Sequence, residues 1–402
     1  MVIEVISSRN NVDGTTVKMS GSRSPNAEED GDFIILHSDD EDVEVIEDLG
    51  DENQGDSDED DIEYEGQVGD EDEDMGDGYP VPVFTPSRDD ALLYFKGHTD
   101  LVFIVDLSPS GNLAASGGKD DRAWLWKVED GSPILELTGF KDSVPYIKVW
   151  NVSSKEVAFS AEVEEIAWAE WHPSTAILLA GSQDGSISMW WIPAGDVKIL
   201  HSFGEATTSA KLLPDGKRLL SGYADGSIRL WDLKTCQVST TISSLHEGEV
   251  LSIDVNSKGQ IASGGADGLK FASLATGKPV SSSQEFGDCV ECVAFSKNTH
   301  AWLAAGSLDG TLLVWDMNAG QQRHRIELGS QSGICRLAWA GPNHVVAASL
   351  DGKVREVDAR SGEIIKEWEG HTSSLLALCV RGEKFATAAE DRSVGIFQGV
   401  VT

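Results

Sequence analysis

Positive charge is scarce in this chain: 31 Lys and Arg stand against 68 Asp and Glu among 402 residues, a formal net charge of −37. Neutralising phosphate requires clustered Lys and Arg, so the deficit argues against direct nucleic-acid and anionic-membrane binding and favours a basic protein as partner. Long apolar runs are missing too. No run approaches the about 18 apolar residues of a transmembrane helix, so no membrane insertion is expected. Met1 to Ser8 lacks the basic lead and apolar length of a signal peptide. Cysteines number only five, odd and without framework spacing, which suits a reducing compartment, the cytoplasm and also the nucleus. Walker, GxGxxG, HExxH and EF-hand patterns are absent, so nothing points to catalysis, a cofactor or a metal.

The acidity is uneven. Residues 1–90 hold 30 Asp and Glu against 4 Lys and Arg, and between Asp39 and Asp77 there are 22 acids and no base. Self-repulsion and few apolar residues leave such a segment unable to offset its ordering entropy, so residues 1–78 read as a disordered acidic tail. The apolar patches Phe33 to Leu36 and Val43 to Ile46 are too brief for a core and could at most contact a partner. Ser38 and Ser57 each have an acid three residues on, which suits an acidophilic kinase of the casein kinase 2 type.

From residue 79 onward one phrase recurs. An Asp opens a turn at Asp120, Asp184, Asp225, Asp267, Asp309, Asp351 and Asp391. Six residues later stands Trp126, Trp190, Trp231, Ser273, Trp315, Val357 or Phe397. The steps after Asp184 are 41, 42, 42, 42 and 40 residues. That period, with an Asp turn leading to a Trp strand, predicts an all-β WD-repeat propeller over residues 79–402, four antiparallel strands per blade. The chain stops soon after the Phe397 strand, and Ala91 to Phe95 can supply the missing outer strand, closing the ring and removing open sheet edges.

One step is short. Trp150 follows Trp126 by 24 residues, leaving a truncated second repeat at about 140–160 that lacks its inner and second strands. Three readings stand: an eight-blade ring with an internal deletion, a seven-blade ring with an insertion, or a retained two-stranded blade. The architecture is therefore seven full repeats plus one truncated repeat.

Ser, His and Asp occur together as His98, Ser116 and Asp120, with Trp126 close by. In a propeller these form a structural hydrogen-bond chain from Asp through His and Ser to the indole, not a catalytic triad. The chain is partial elsewhere: His246, Ser263 and Asp267 end at Ser273, His371, Thr387 and Asp391 end at Phe397, and Ser221, Asp225 and Trp231 lack a His. Cys289 and Cys292 form a CxxC with no second ligand pair, and strand alternation separates the two side chains, so metal binding is not expected.

Alignment on the Asp turn brings a set of acids to the face where the turns meet the inner strands. Asp100, Glu164, Glu165 and Glu205 belong to it, with Glu247, Glu249, Asp288, Glu291 and Glu390; Lys119 is the clearest base among them. An acidic funnel of this kind would attract a basic peptide.

The acidic tail, Phe95 to Asp100, Ala167 to Pro173, Leu178 to Trp190, Leu213 to Arg218 and Gln331 to Trp339 carry a further likeness. In these segments the chain resembles, within the WD-repeat class, the angio-associated migratory cell protein family, itself similar to a yeast chaperone dedicated to one large-subunit ribosomal protein. The resemblance implies an eight-blade ring, from which the second repeat departs. It also implies non-enzymatic capture of a basic segment of a ribosomal protein during ribosome assembly, by a monomer. A scaffold in signalling or cell migration and an acidic histone chaperone are the alternatives.

Overall fold

In the computed structural model the described residues are 82–137, 146–163, 165–283, 286–297 and 301–399, with strands at Val2–Ile6, Lys18–Ser20 and Phe33–Ser38. They form an all-β propeller with seven complete four-stranded blades and no helix among the described residues. The first complete blade is Val102–Leu107, Leu113–Gly118, Ala123–Lys127 and Pro133–Leu137 in that order. Five more repeat the order with inner strands Ile166–Trp171, Thr207–Leu212, Val250–Val255, Val290–Phe295 and Ile334–Trp339.

The last blade takes Leu375–Arg381, Lys384–Ala389 and Val394–Gln398 from the C-terminal end and Leu93–Phe95 from the other. The closing pairs are Val394 with Phe95, Gly395 with Tyr94 and Ile396 with Leu93, where the sequence placed the closure. Phe95 also stacks on Trp126, ring centroids 4.8 Å apart, so the closing strand ties the last blade to the first.

Burial explains the composition of the strands. Second strands such as Arg218–Tyr223 are buried along nearly their whole length, because neighbouring blades cover both faces. Outer strands such as Gln237–Ile242 alternate between exposed and half-buried until their last residue. The cores lie between blades: Val102, Val105 and Leu107 pack with Ala377, Ala386 and Ile396 of the last blade. Close approach needs glycine at Gly222, where an added Cβ would stand 2.7 Å from the Val250 Cβ of the next blade. Each inner strand of the seven blades carries a register shift near its start, as between Val102 and Ile104, which increases its twist.

Beside the seven complete blades, the truncated repeat contributes two strands of its own, Tyr146–Asn151 and Glu156–Glu162. Trp150 packs against Leu125 and Leu137 of the first blade, and Ile147 and Val149 join the core of the Ile166–Trp171 blade. The unit thus sits between two complete blades. Phe33–Ser38 pairs antiparallel with Tyr146–Asn151, and Val2–Ile6 pairs parallel with Phe33–Ser38. Lys18–Ser20 pairs parallel with Trp168–Glu170. The apolar patch Phe33 to Leu36 is therefore part of a strand, and Ser38 is its last residue. The acidic segment 39–77 and Ser57, on which the expected disorder and phosphorylation bear, lie outside the described residues.

One repeat position is corrected. In the blade of Asp267 the residue in the Trp position is Ala272, opposite Ile261, just as Trp231 lies opposite Leu219. Ser273 lies one place further, opposite Gln260. Only Ala266 and Asp267 separate the second and third strands there, against four residues between Tyr223 and Ile228, so counting six residues from the Asp overshoots.

Candidate functional site at the turn-bearing rim

Each Asp turn is clasped to the loop that leads into its blade's inner strand. Lys119 N donates to Leu101 O at 2.8 Å, Gln183 N to Glu165 O at 2.8 Å, Leu308 N to Cys289 O at 3.1 Å and Glu390 N to Ser374 O at 3.0 Å. Turns and entry loops therefore share one rim. The Asp side chain serves both: in the first blade Asp120 accepts from Thr99 N at 2.9 Å and bonds His98 Nδ1 at 3.0 Å.

Behind the rim runs the expected hydrogen-bond chain. His98 Nε2 meets Ser116 Oγ at 2.9 Å and Trp126 Nε1 donates to the same oxygen at 3.3 Å. Ser116 is 0% exposed and His98 6%, so the hydroxyl is closed to substrate and already engaged. His371 bonds Asp391 and Thr387 at 2.9 and 2.8 Å, and His246 bonds Asp267 and Ser263. Burial would raise the Asp391 carboxyl, yet the His371 bond and charge hold it at about 2.

Two blades solve the same problem without histidine, which the sequence did not reveal. Trp231 Nε1 donates to Ser221 Oγ and Tyr223 Oη at 3.0 and 3.1 Å, and Arg229 lies over the Tyr223 and Phe203 rings at 4.0 and 4.5 Å. In the Asp351 blade, Ser332 Oγ donates to Asp351 at 2.7 Å and Arg355 pairs with it at 2.6 Å.

The acids singled out from sequence fall as follows. Asp100, Glu165, Glu205, Glu247, Glu249 and Asp288 precede the inner strands of their blades and share the rim; Glu165, Glu205, Glu247 and Asp288 are exposed, Asp100 and Glu249 half-buried. Glu291 is the second residue of its inner strand and is buried, with Cys289 Sγ donating to it at 3.4 Å. Glu390, beside Asp391, accepts from Ser373 Oγ at 3.0 Å. Glu164 lies outside the described residues. Burial, then the negative charge of Glu291, pushes the Glu249 carboxyl above its ordinary range. Lys119 is exposed on this rim, and Arg392, exposed beside Asp391, joins it as a second base that the sequence reading missed.

The CxxC cysteines separate. Cys292 is buried in the core between its blade and the next, while Cys289 is half-buried at the rim, its thiol pushed up to about 12 by burial and by the Glu291 and Asp288 carboxylates. A metal would need thiolates on one side. Among the described residues no group of three or more His, Cys, Asp or Glu could hold a metal ion.

Further acids, not singled out from sequence, bridge adjacent inner strands. Glu170 accepts from Leu212 N at 3.0 Å and Asp254 from Phe295 N at 2.8 Å, while Asp106 accepts from Cys379 Sγ at 2.8 Å and pairs with Arg381 at 3.3 Å. All three are the fifth residue of their inner strand, a signal visible only once the strands are aligned.

Comparison with known proteins agrees with this geometry. The family described as "WD domain, G-beta repeat" matches residues 90–127, 157–190, 197–232 and 277–316. The human angio-associated migratory cell protein is 34% identical over 349 residues, covering 77% of this chain and 80% of its own length. Ribosome assembly protein SQT1 of Saccharomyces cerevisiae is 24% identical over 361 residues, covering 72% of this chain and 79% of its own. The crystal structure of Chaetomium thermophilum Sqt1 bound to the N-terminus of ribosomal protein L10 superposes with a TM-score of 0.69 at 23% identity, over 78% of this chain and all of that one. The repeat pattern, the ring closed by Leu93–Phe95 and the extent of this likeness place the chain in the angio-associated migratory cell protein family of WD-repeat propellers.

Proposed function

We propose that this chain is a non-enzymatic chaperone whose acidic rim captures a basic segment of a large-subunit ribosomal protein and shields it until assembly. The observation that carries the reading is the carboxylate pair Glu249 and Glu291. Burial, and after it the like charge of Glu291, makes the Glu249 carboxyl harder to ionise. A Lys or Arg side chain brought against half-buried Glu249 would relieve that repulsion and offset the desolvation already incurred, which a solvated surface acid cannot offer. Exposed Glu165, Glu205 and Asp288 on the same rim supply the longer-range attraction. The Sqt1 propeller bound to a ribosomal-protein N-terminus supports the choice of partner class.

The test is a panel of synthetic N-terminal segments from ribosomal proteins, with histone tails beside them, titrated against the full chain. One ribosomal segment should bind preferentially and be released by about 0.5 M salt, where surface charge pairing is screened. Preference for histone tails would move the reading to a histone chaperone. No binding to any basic segment would overturn both and leave a scaffold of the signalling type.

A further inference from the structure

In every complete blade the third strand is hydrogen-bonded on both edges, to the second strand and to the outer one. The truncated repeat keeps a third strand, Tyr146–Asn151, and an outer strand, Glu156–Glu162, but has no second strand from its own stretch of chain. Its third strand is nonetheless walled in, with Ile147, Val149 and Trp150 packed into cores shared with the blades on either side. An open edge there would strand backbone amides and carbonyls away from water, each at a cost comparable to a lost hydrogen bond. Phe33–Ser38 takes that edge, antiparallel, from Phe33 opposite Asn151 to Ser38 opposite Tyr146.

The register is that of the repeat itself. In the complete blades the second residue of the second strand lies opposite the Trp position: Ala114 opposite Trp126, Leu178 opposite Trp190, Leu303 opposite Trp315 and Phe385 opposite Phe397. Ile34, second in its strand, lies opposite Trp150. The sequence carries the same match independently. With Phe33 aligned on Ile177, Ser38 falls on Ser182 and Asp40 on the turn residue Asp184; aligned on Trp302, they fall on Ser307 and Asp309. A slip of one residue would turn every side chain to the wrong face, so a chance apolar patch would not meet both criteria.

We propose that Phe33–Ser38 is an intrachain donor strand, a surrogate second strand carried on the acidic tail that completes the truncated blade by strand addition to Tyr146–Asn151. The occupant is this segment of the same chain. Val2–Ile6 adds beyond it in parallel, unlike the antiparallel inner strands of the complete blades, so the register argument belongs to Phe33–Ser38 alone. This device is independent of what the rim binds.

Hydrogen exchange on the full chain tests it, comparing wild type with Ile35→Pro, which removes a ladder donor and is excluded from a paired strand interior. In the wild type, residues 33–38 and 146–151 should both be protected. The substitution should speed exchange in both by about tenfold or more and leave Trp302–Ser307 unchanged. A peptide of residues 31–41 added in trans should restore protection at 146–151. Random-coil exchange of 33–38 in the wild type, or protection of 146–151 that ignores the substitution, would overturn the proposal. A second variant does not depend on a disrupted chain folding: Leu36→Cys with Lys148→Cys, residues directly opposite in this register, should form a disulfide under mild oxidation. Failure of that cross-link in the folded chain would equally count against it.

Discussion

At the scale of single residues, buried hydroxyls behind the rim pair the ring nitrogens that folding takes out of water. Ser116 Oγ serves both His98 and Trp126. Ser116→Ala leaves an indole N–H and an imidazole nitrogen unpaired in a dry site, and should lower unfolding free energy by about 2–3 kcal/mol, read as the midpoint of a urea titration. Full stability in that variant would refute the structural role. His98, Ser116 and Asp120 were legible from sequence because turn and strand positions recur at fixed offsets. The Arg229 stack and the Ser332–Asp351–Arg355 group were not: both arginines stand four residues after their turn Asp, but Phe203 and Ser332 come from loops whose approach only folding sets. The bridging acids Asp106, Glu170 and Asp254 were hidden for a similar reason: their partners lie in neighbouring blades, at distances set by folding and not by local spacing.

At the scale of elements, closure of the ring is the step on which the rest depends. Phe95→Ala removes the stack on Trp126 and an almost fully buried side chain, and should cost about 3–5 kcal/mol by denaturant unfolding. An exposed Phe outside the ring, had closure been misread, would show almost no effect. The segment ahead of that strand is pinned by Glu369, which accepts from Ser87 N and Oγ at 2.7 and 2.8 Å and pairs with Lys353 at 3.0 Å. The Ser87 hydroxyl bond, then Lys353, holds the Glu369 carboxyl at about 2, below its ordinary 4.5. A depressed carboxyl stabilises the fold above its unfolded value and loses that contribution as pH falls toward the folded one. Wild type should therefore exceed Glu369→Gln in urea midpoint at neutral pH, with the gap closing between about 4.5 and about 2; a pH-independent gap would contradict the assignment. The repeats were legible at this scale because turn chemistry fixes them. The position of Ala272 was not, because a shortened turn shifts the strand without altering the period.

At the scale of the whole molecule, charge decides what the ring can hold. Of the net charge of −37, residues 1–90 with 30 acids and 4 bases carry −26, which leaves −11 for residues 91–402, and the rim presents Glu165, Glu205, Glu247 and Asp288 from several blades to solvent. The fold was readable from the period alone, and the place of the acids ahead of the inner strands from alignment on the Asp turn; the effect of Glu291 on Glu249 required two blades to be brought side by side. Because burial and then the Glu291 charge raise the Glu249 carboxyl, affinity for a cationic segment should fall on acidification at a higher pH than an ordinary glutamate would require. The most direct test is isothermal titration of the preferred basic segment against the full chain and against the combined Glu164→Gln, Glu165→Gln, Glu249→Gln and Glu291→Gln variant, with the urea midpoint of each measured alongside. Affinity should drop by about a hundredfold or more, the worth of two or more desolvated charge pairs, in a variant that still unfolds in one cooperative step. Unchanged affinity in a folded variant would contradict the acidic rim as the binding site.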